Sequence, residues 1–108
     1  MRYNTSIKIG ENIIDIASPT YFVADIAANH NGDLGMAKEL IHLAKDAGAD
    51  AVKFQHFLAD KIVSDYGFRN LGQQSSHQAK WEKSVYDTYK DAEFNRSWNV
   101  ILAEEAKK

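Results

Sequence analysis

A chain of 108 residues, 44% hydrophobic and 26% charged, has the composition of an ordinary soluble protein and the length of one small domain, which excludes a disordered or fibrous class. Its net charge of -2, with acidic and basic residues interleaved, gives no basic footprint for nucleic acid and no basic amphipathic stretch for a membrane surface, so neither partner is expected. The absence of cysteine removes disulfides, thiolate nucleophiles and thiolate metal ligands. With no apolar run near the roughly 20 residues of a membrane span and no signal-peptide core, the chain reads as cytoplasmic.

Residues 1–18 contain two alternating apolar runs, Ile7 to Ile9 and Ile13 to Ile16, around a Gly10-Glu11-Asn12 turn. This pattern predicts a β-hairpin, of a kind that could plug one end of a barrel. Pro19, the single proline, ends that unit. Tyr21 to Ala27 then reads as a buried strand, Asn29-His30-Asn31-Gly32-Asp33 as a polar turn, and Asp33 as the N-cap of the helix that follows. From Leu34 the apolar positions Ala37, Leu40, Ile41, Ala44 and Ala47 recur at helical spacing, and Gly48 is placed to stop the helix in the left-handed conformation. Asp50 leads into a second strand, Ala51 to Phe57, so that residues 19–57 make one βαβ unit.

Period-2 alternation gives this unit its chemistry. If both strands run parallel, Val23, Asp25 and Ala27 share one face of the first, and Ala51, Lys53 and Gln55 share the same face of the second. Phe22, Ala24, Ile26, Val52, Phe54 and His56 then face the covering helix. A carboxylate, an ammonium and an amide are thereby expected on one inner face near the carboxyl ends of neighbouring strands, where open α/β sheets and (β/α) barrels place their ligands.

Residues 58–94 behave differently. Their aromatic residues Tyr66, Phe68, Trp81, Tyr86 and Tyr89 show no sustained period until a short helix near Lys80 to Lys90. The segment reads as a long βα connection on the same carboxyl face, and its length suits a substrate-covering loop. In residues 95–108, Asn95 is placed to cap a second helix with Trp98, Ile101 and Leu102 in one stripe, and the helical pattern still runs at Lys108. A two-strand βαβα unit leaves its sheet edges without partners, and a complete barrel needs about 250 residues. The fold expected is therefore α/β, the amino-terminal portion of a TIM (β/α)8 barrel preceded by a hairpin. One partial domain spans 1–108, and the fragment alone is expected to be inactive.

The run FVADIAANHNGDLGMAKELIHLAKDAGADAVKFQHF resembles the start of the sialic acid synthase family, the synthases of N-acetylneuraminate and related nonulosonates. The likeness covers residues 7 to 66 well and continues weakly to the end, where FNRSWNVILAEEAKK is similar to that family's second barrel helix. The combination of NHNGD turn, A-K-x-L-I helix, AGAD and VKFQ is far more specific than any one piece. The resemblance implies a barrel in which phosphoenolpyruvate condenses with an N-acylated hexosamine such as N-acetylmannosamine. It also implies a divalent metal of the Mn or Mg type whose histidine ligands lie on later strands, outside this chain. These small molecules are the partners it implies, and a homo-oligomer is compatible with it.

Residue by residue, the resemblance makes Lys53 the lysine that contacts phosphoenolpyruvate, a role suited to a compact ammonium. It makes Gln55 a sugar contact whose amide both donates and accepts. Asp25 falls where the family usually has a glutamate that contacts the sugar and is a candidate proton carrier. Being one methylene shorter, it places substrate identity in question, because small displacements are costly in catalysis. Asn29 and His30 match the first βα loop, where polar side chains either shape the sugar pocket or organise the turn.

Plainer readings stand beside these. Asp25 and Lys53 could form only a buried ion pair. His42 and His56 read as helix-packing or surface residues, and His77 as a solvated loop histidine rather than a substrate contact. Trp81, Tyr86 and Tyr89 read as anchors of the loop rather than a sugar platform. NHNGDLG lacks the glycine order of a dinucleotide fingerprint, so no nicotinamide cofactor is indicated. Two further functions fit the same pattern. Another phosphoenolpyruvate-dependent aldol-type synthase would take a phosphorylated sugar and need extra basic residues, for which Lys61 and Arg69 are the loop candidates before Lys80. A non-catalytic module would bind a partner chain over its open strand edge.

Overall fold

A computed structural model describes residues 3–71 and 80–108. Its first element is an antiparallel hairpin of β1 (Ser6–Ile9) and β2 (Asn12–Asp15), with Ile7 opposite Ile14 and Ile9 opposite Asn12. The turn needs a left-handed residue, and Gly10 supplies it at φ +59°. Asp15 ends the unit by accepting from the backbone N–H of Ala17 and the hydroxyl of Ser18, both at 2.9 Å. The Ser18 hydroxyl is the larger cause that holds its carboxyl below the usual range. The hairpin is a sheet of its own, separate from the strands that follow.

The centre of the fold is a βαβ unit of β3 (Val23–Ala27), α1 (Leu34–Asp46) and β4 (Ala51–Phe54), with the two strands paired in parallel. Asp50 sets their start. Its carboxylate accepts from the N–H of Phe22 at 2.7 Å, and its own N–H donates to the Phe22 carbonyl at 2.8 Å. Both strands are shorter than the apolar runs imply. β3 begins at Val23, leaving Phe22 59% exposed, and β4 ends at Phe54, so Gln55, His56 and Phe57 lie beyond it.

A bulge causes the early end. The register runs Asp25 to Lys53 and then Ala27 to Phe54, and Ala27 sits at φ +51°. That left-handed conformation is uncommon for alanine and turns the chain out of the ladder. The last bond is the Gln55 N–H donating to the Ala27 carbonyl at 3.0 Å. Alternation therefore holds through Asp25 and Lys53 and ceases to dictate side-chain faces after them.

Helix α1 follows its sequence signals closely. The Asp33 carboxylate accepts from the Met36 N–H at 2.7 Å, the bond expected of an N-cap. At the other end Gly48 has φ +91°. Its N–H donates to the Lys45 carbonyl, and the Ala49 N–H reaches back to the Ala44 carbonyl, the paired bonds of a Schellman motif. Ala37 and Ile41 on the buried face of α1 pack with Ile26, Phe94 and Leu102. Leu34, Leu40, Val52, Phe54 and Trp98 lie against that core.

The connection after β4 holds three short helices among the described residues, α2 (Ala59–Ile62), α3 (Asp65–Asn70) and α4 (Val85–Asp91), where the sequence indicated only the last. Helices of one to two turns bury too few positions to show a period. The two ends of the excursion are stitched together. The Phe94 N–H donates to the Phe57 carbonyl at 3.3 Å, and the Ala59 N–H donates to the Glu93 carboxylate at 2.7 Å. A second tie joins α4 to the turn after β3. Gly32, at φ +74°, approaches the Asp91 carbonyl so closely that a Cβ there would lie 2.6 Å from its oxygen.

Helix α5 (Trp98–Ala106) closes the chain against α1. Asn95 caps the turn leading into it, accepting from the N–H and the hydroxyl of Ser97 at 3.0 and 2.8 Å. Trp98 and Leu102 face the core, whereas Ile101 is 38% exposed. His42 of α1 meets Glu105 of α5 at 2.8 Å. Glu105 also accepts from Lys108, the leading cause that keeps its carboxyl below the usual range, followed by His42. No helix among the described residues is long and apolar enough to cross a membrane.

Candidate functional site

Asp25 and Lys53 are direct register partners across the parallel pair, and Lys53 Nζ donates to Asp25 Oδ1 at 2.9 Å. Their side chains are 61% and 56% exposed. An ion pair so open to water adds little to stability, because Coulomb attraction is screened and side-chain entropy opposes it. Within these residues the pair is an exposed one. The strands present two opposite charges, side by side, to the space beyond their face.

Next to that pair, past the bulge, lies a cleft of about 380 Å³. Gln55 and Asn29 line it together with Phe57, Trp81, Thr88 and Tyr89. Asn29 directs its amide nitrogen to the Ile26 carbonyl at 2.9 Å, which fixes the side chain and leaves its amide oxygen without a partner among the described residues. The Gln55 amide has no hydrogen-bond partner among them either. The aromatic members support one another: the rings of Phe57 and Tyr89 meet edge to face with centroids 5.4 Å apart, and Trp81 lies 6.3 Å from Tyr89. Tyr89 thus anchors the connection on the strand ends through Phe57, a partner that sequence reading left without a role.

His30 is separated from these residues. It is fully buried, with its ring 5.6 Å from Phe94, 5.7 Å from Trp98 and 6.2 Å from Phe54. Its Nδ1 accepts from the Gly32 N–H at 3.0 Å, and Nε2 has no partner among the described residues. It organises the turn from below, toward the helix layer, while Asn29 takes the cleft side. Adjacent turn residues face opposite ways here, which a sequence with no period cannot announce. Burial is the first cause that lowers the His30 pKa, with His56 the second.

That burial makes a pH dependence. The unfolded state protonates His30 near its ordinary value of about 6.5, whereas the folded state holds it neutral to lower pH. Its contribution is complete above about 6.5 and is lost as pH falls from there through the folded-state value. Denaturant midpoints are expected to be lower at pH 5 than at pH 7.5. Midpoints unchanged over that interval would show that the buried ring is not being held neutral.

The other histidines are elsewhere. His42 pairs with Glu105 as described, His56 is exposed and stacks on Phe94 at 3.8 Å between centroids, and His77 lies outside the described residues. Lys61 pairs with Asp60 at 3.3 Å and Arg69 with Asp65 at 2.7 Å, and neither lines the cleft. Among the described residues no group of three or more His, Asp or Glu is arranged to hold a metal ion. The divalent metal implied by the sequence resemblance thus finds no ligand set among them.

The chain as a whole is similar to known proteins. A family model described as NeuB family matches residues 40–108. N,N'-diacetyllegionaminic acid synthase from Legionella pneumophila is 37% identical over 84 residues, covering 78% of this chain and 23% of that protein. The spore coat polysaccharide biosynthesis protein SpsE from Bacillus subtilis is 40% identical over 97 residues, covering 90% of this chain and 25% of that protein. Among solved structures, an N-acetylneuraminic acid synthetase from Leptospira borgpetersenii, crystallised with citrate, superposes with a TM-score of 0.68 at 27% identity, over 94% of this chain and 30% of that one. The chain spans about a quarter of the length of these curated relatives.

Proposed function

The chain belongs to the NeuB family, and from that premise we propose that its βαβ unit is part of a (β/α)8 barrel that joins phosphoenolpyruvate to an N-acylated hexosamine, giving a sialic-type acid. The observation that carries the proposal is the in-register Asp25 and Lys53 pair, 2.9 Å apart and open to the space beyond the strands. An ammonium held in place by a neighbouring carboxylate is a ready site for a small anion.

In this reading Lys53 receives the carboxylate or phosphate of phosphoenolpyruvate. C3 of phosphoenolpyruvate attacks the open-chain aldehyde carbon, water adds at C2, and phosphate leaves by C–O cleavage. Asp25 keeps one oxygen on Lys53 and has the other free to orient the sugar or take a proton. Gln55 and Asn29 offer amide groups to the sugar from the cleft side, and His30 supports the turn that carries Asn29. For the alternative with a phosphorylated sugar, the loop candidates Lys61 and Arg69 do not line the cleft.

The function is tested by assaying the full-length protein with phosphoenolpyruvate, Mn²⁺ or Mg²⁺, and a panel of N-acylated mannosamine-type sugars. Sugar-dependent phosphate release is expected, and none with any member of the panel overturns the proposal. Asp25→Asn keeps the size of the side chain and removes its charge. Loss of turnover by about a hundredfold is expected if the carboxylate carries a proton, whereas normal turnover would leave it no such role.

A further inference from the structure

Two successive carbonyls at the bulge hold both amide residues of the cleft. Asp25 pairs with Lys53 and Ala27 with Phe54, so Ile26 stands without a register partner and sends its side chain into the core, 6% exposed. The Ile26 carbonyl turns to the loop, where it accepts from the Asn29 N–H at 3.0 Å and from the Asn29 side-chain amide at 2.9 Å. The next carbonyl, that of Ala27, accepts from the Gln55 N–H at 3.0 Å. Asn29 and Gln55, which line the cleft from the two strand ends, are thus tied to one short stretch of backbone.

Residues 26–29 close as a turn whose second member, Ala27, has φ +51°. Positive φ at that position belongs to turn classes dominated by Gly, Asn and Asp. A residue with a Cβ occupies it only where its surroundings compel it. Here they do so on both sides, because Ile26 is anchored in the core ahead of Ala27 and Gln55 holds the carbonyl behind it. An extended Ala27 would carry the strand straight on, opening the turn at 26–29 and withdrawing its carbonyl from Gln55.

We infer that Ala27 is a positioning residue, whose left-handed backbone fixes Asn29 and Gln55 relative to the Asp25 and Lys53 pair. The pair lies before the bulge in ordinary strand register and does not depend on it. The inference rests on the proposed function for what the site does, and goes beyond it in giving a role to a side chain with no functional group.

The test compares Ala27→Val, whose branched Cβ opposes the left-handed region, with Ala27→Asn, similar in bulk and tolerant of that region. In the full-length protein, hydrogen exchange at the Gln55 amide is expected to lose its protection in the valine variant and keep it in the asparagine variant. Equal exchange in the two overturns the inference, whatever the activity. In steady-state assays with N-acetylmannosamine, Ala27→Val is expected to lower kcat/KM for the sugar by about a hundredfold, the size of a misplacement of roughly 1 Å. The Kd for phosphoenolpyruvate, measured by calorimetry, is expected to stay unchanged. Equal losses in both variants would make bulk in the cleft the cause, and a matching loss of phosphoenolpyruvate affinity would make it general damage to the strands. Either result counts against Ala27 as a positioning residue. In a background that carries Asn29→Ala and Gln55→Ala, the valine substitution is expected to do little further harm, and an undiminished loss would show that it acts through neither residue. If Ala27→Val melts early, Ala27→Leu, near asparagine in shape, replaces it under the same criteria. Absence of turnover with every N-acylated sugar removes the proposed function and leaves the exchange result to decide this inference.

Discussion

Lys53→Ala is expected to raise the KM for phosphoenolpyruvate in the full-length protein by about ten- to a hundredfold, while the fold is retained. The range follows from a charge-assisted hydrogen bond to an anionic ligand, about 1.5–3 kcal/mol, at 1.4 kcal/mol per factor of ten. Removing the ammonium also leaves the Asp25 carboxylate facing the incoming anion without compensation, which adds repulsion to the lost attraction. The fold should tolerate the change because Lys53 projects from the strand face opposite the apolar cluster of Ile26, Ala37, Ile41, Phe94 and Leu102. Titration calorimetry with phosphoenolpyruvate, beside a thermal melt of the same variant, separates the two effects. Unchanged affinity would refute the role given to Lys53, and a collapsed melting transition would show that the pair holds the strands together after all.

The largest effect on stability is expected at Phe94. Its side chain is 2% exposed, and its ring contacts Phe54, Trp98, His30 and His56. It thereby joins the strand layer, the turn after β3 and the start of α5. Phe94→Ala is expected to cost about 3–5 kcal/mol, the usual penalty for emptying a buried aromatic site. A domain of this size has only about 5–15 kcal/mol of net stability, so the variant should be largely unfolded at temperatures where the parent melts cooperatively. Phe94→Leu, which fills much of the volume, should recover a substantial part of the loss. Chemical denaturation of all three proteins decides it, and a difference of less than 1 kcal/mol between parent and alanine variant would mean that Phe94 is not the packing centre.

Phe94 also shows what sequence reading reaches and what it does not. The parallel pairing of β3 and β4, the Asp25 and Lys53 register, the Asp33 cap and the Gly48 stop were all legible, because each depends on a short-range rule of period, capping or backbone freedom. Phe94 obeys no such rule. It sits at the end of an irregular connection and reaches the core only because Phe57 and Glu93 pin that end beside β4. The burial of His30 was illegible for a similar reason: its partners Phe54, Phe94 and Trp98 are distant in sequence, and a polar turn motif gives no hint that one of its members faces inward. The bulge at Ala27 went unseen because alanine carries no preference for the left-handed conformation it adopts. Beyond that point alternation loses authority, so Gln55 reaches the site through the cleft and not through strand geometry.

The approach of Gly32 to Asp91 carries a consequence for how the cleft tolerates change. Asp91 ends the same helix that supplies Thr88 and Tyr89 to the cleft, and Gly32 lies in the same turn as Asn29. A methyl group at Gly32 would wedge the two apart, although that position does not line the cleft. Lesions that resemble a fault in the cleft lining can thus originate at a glycine that lies outside it, where the turn and the helix are held together.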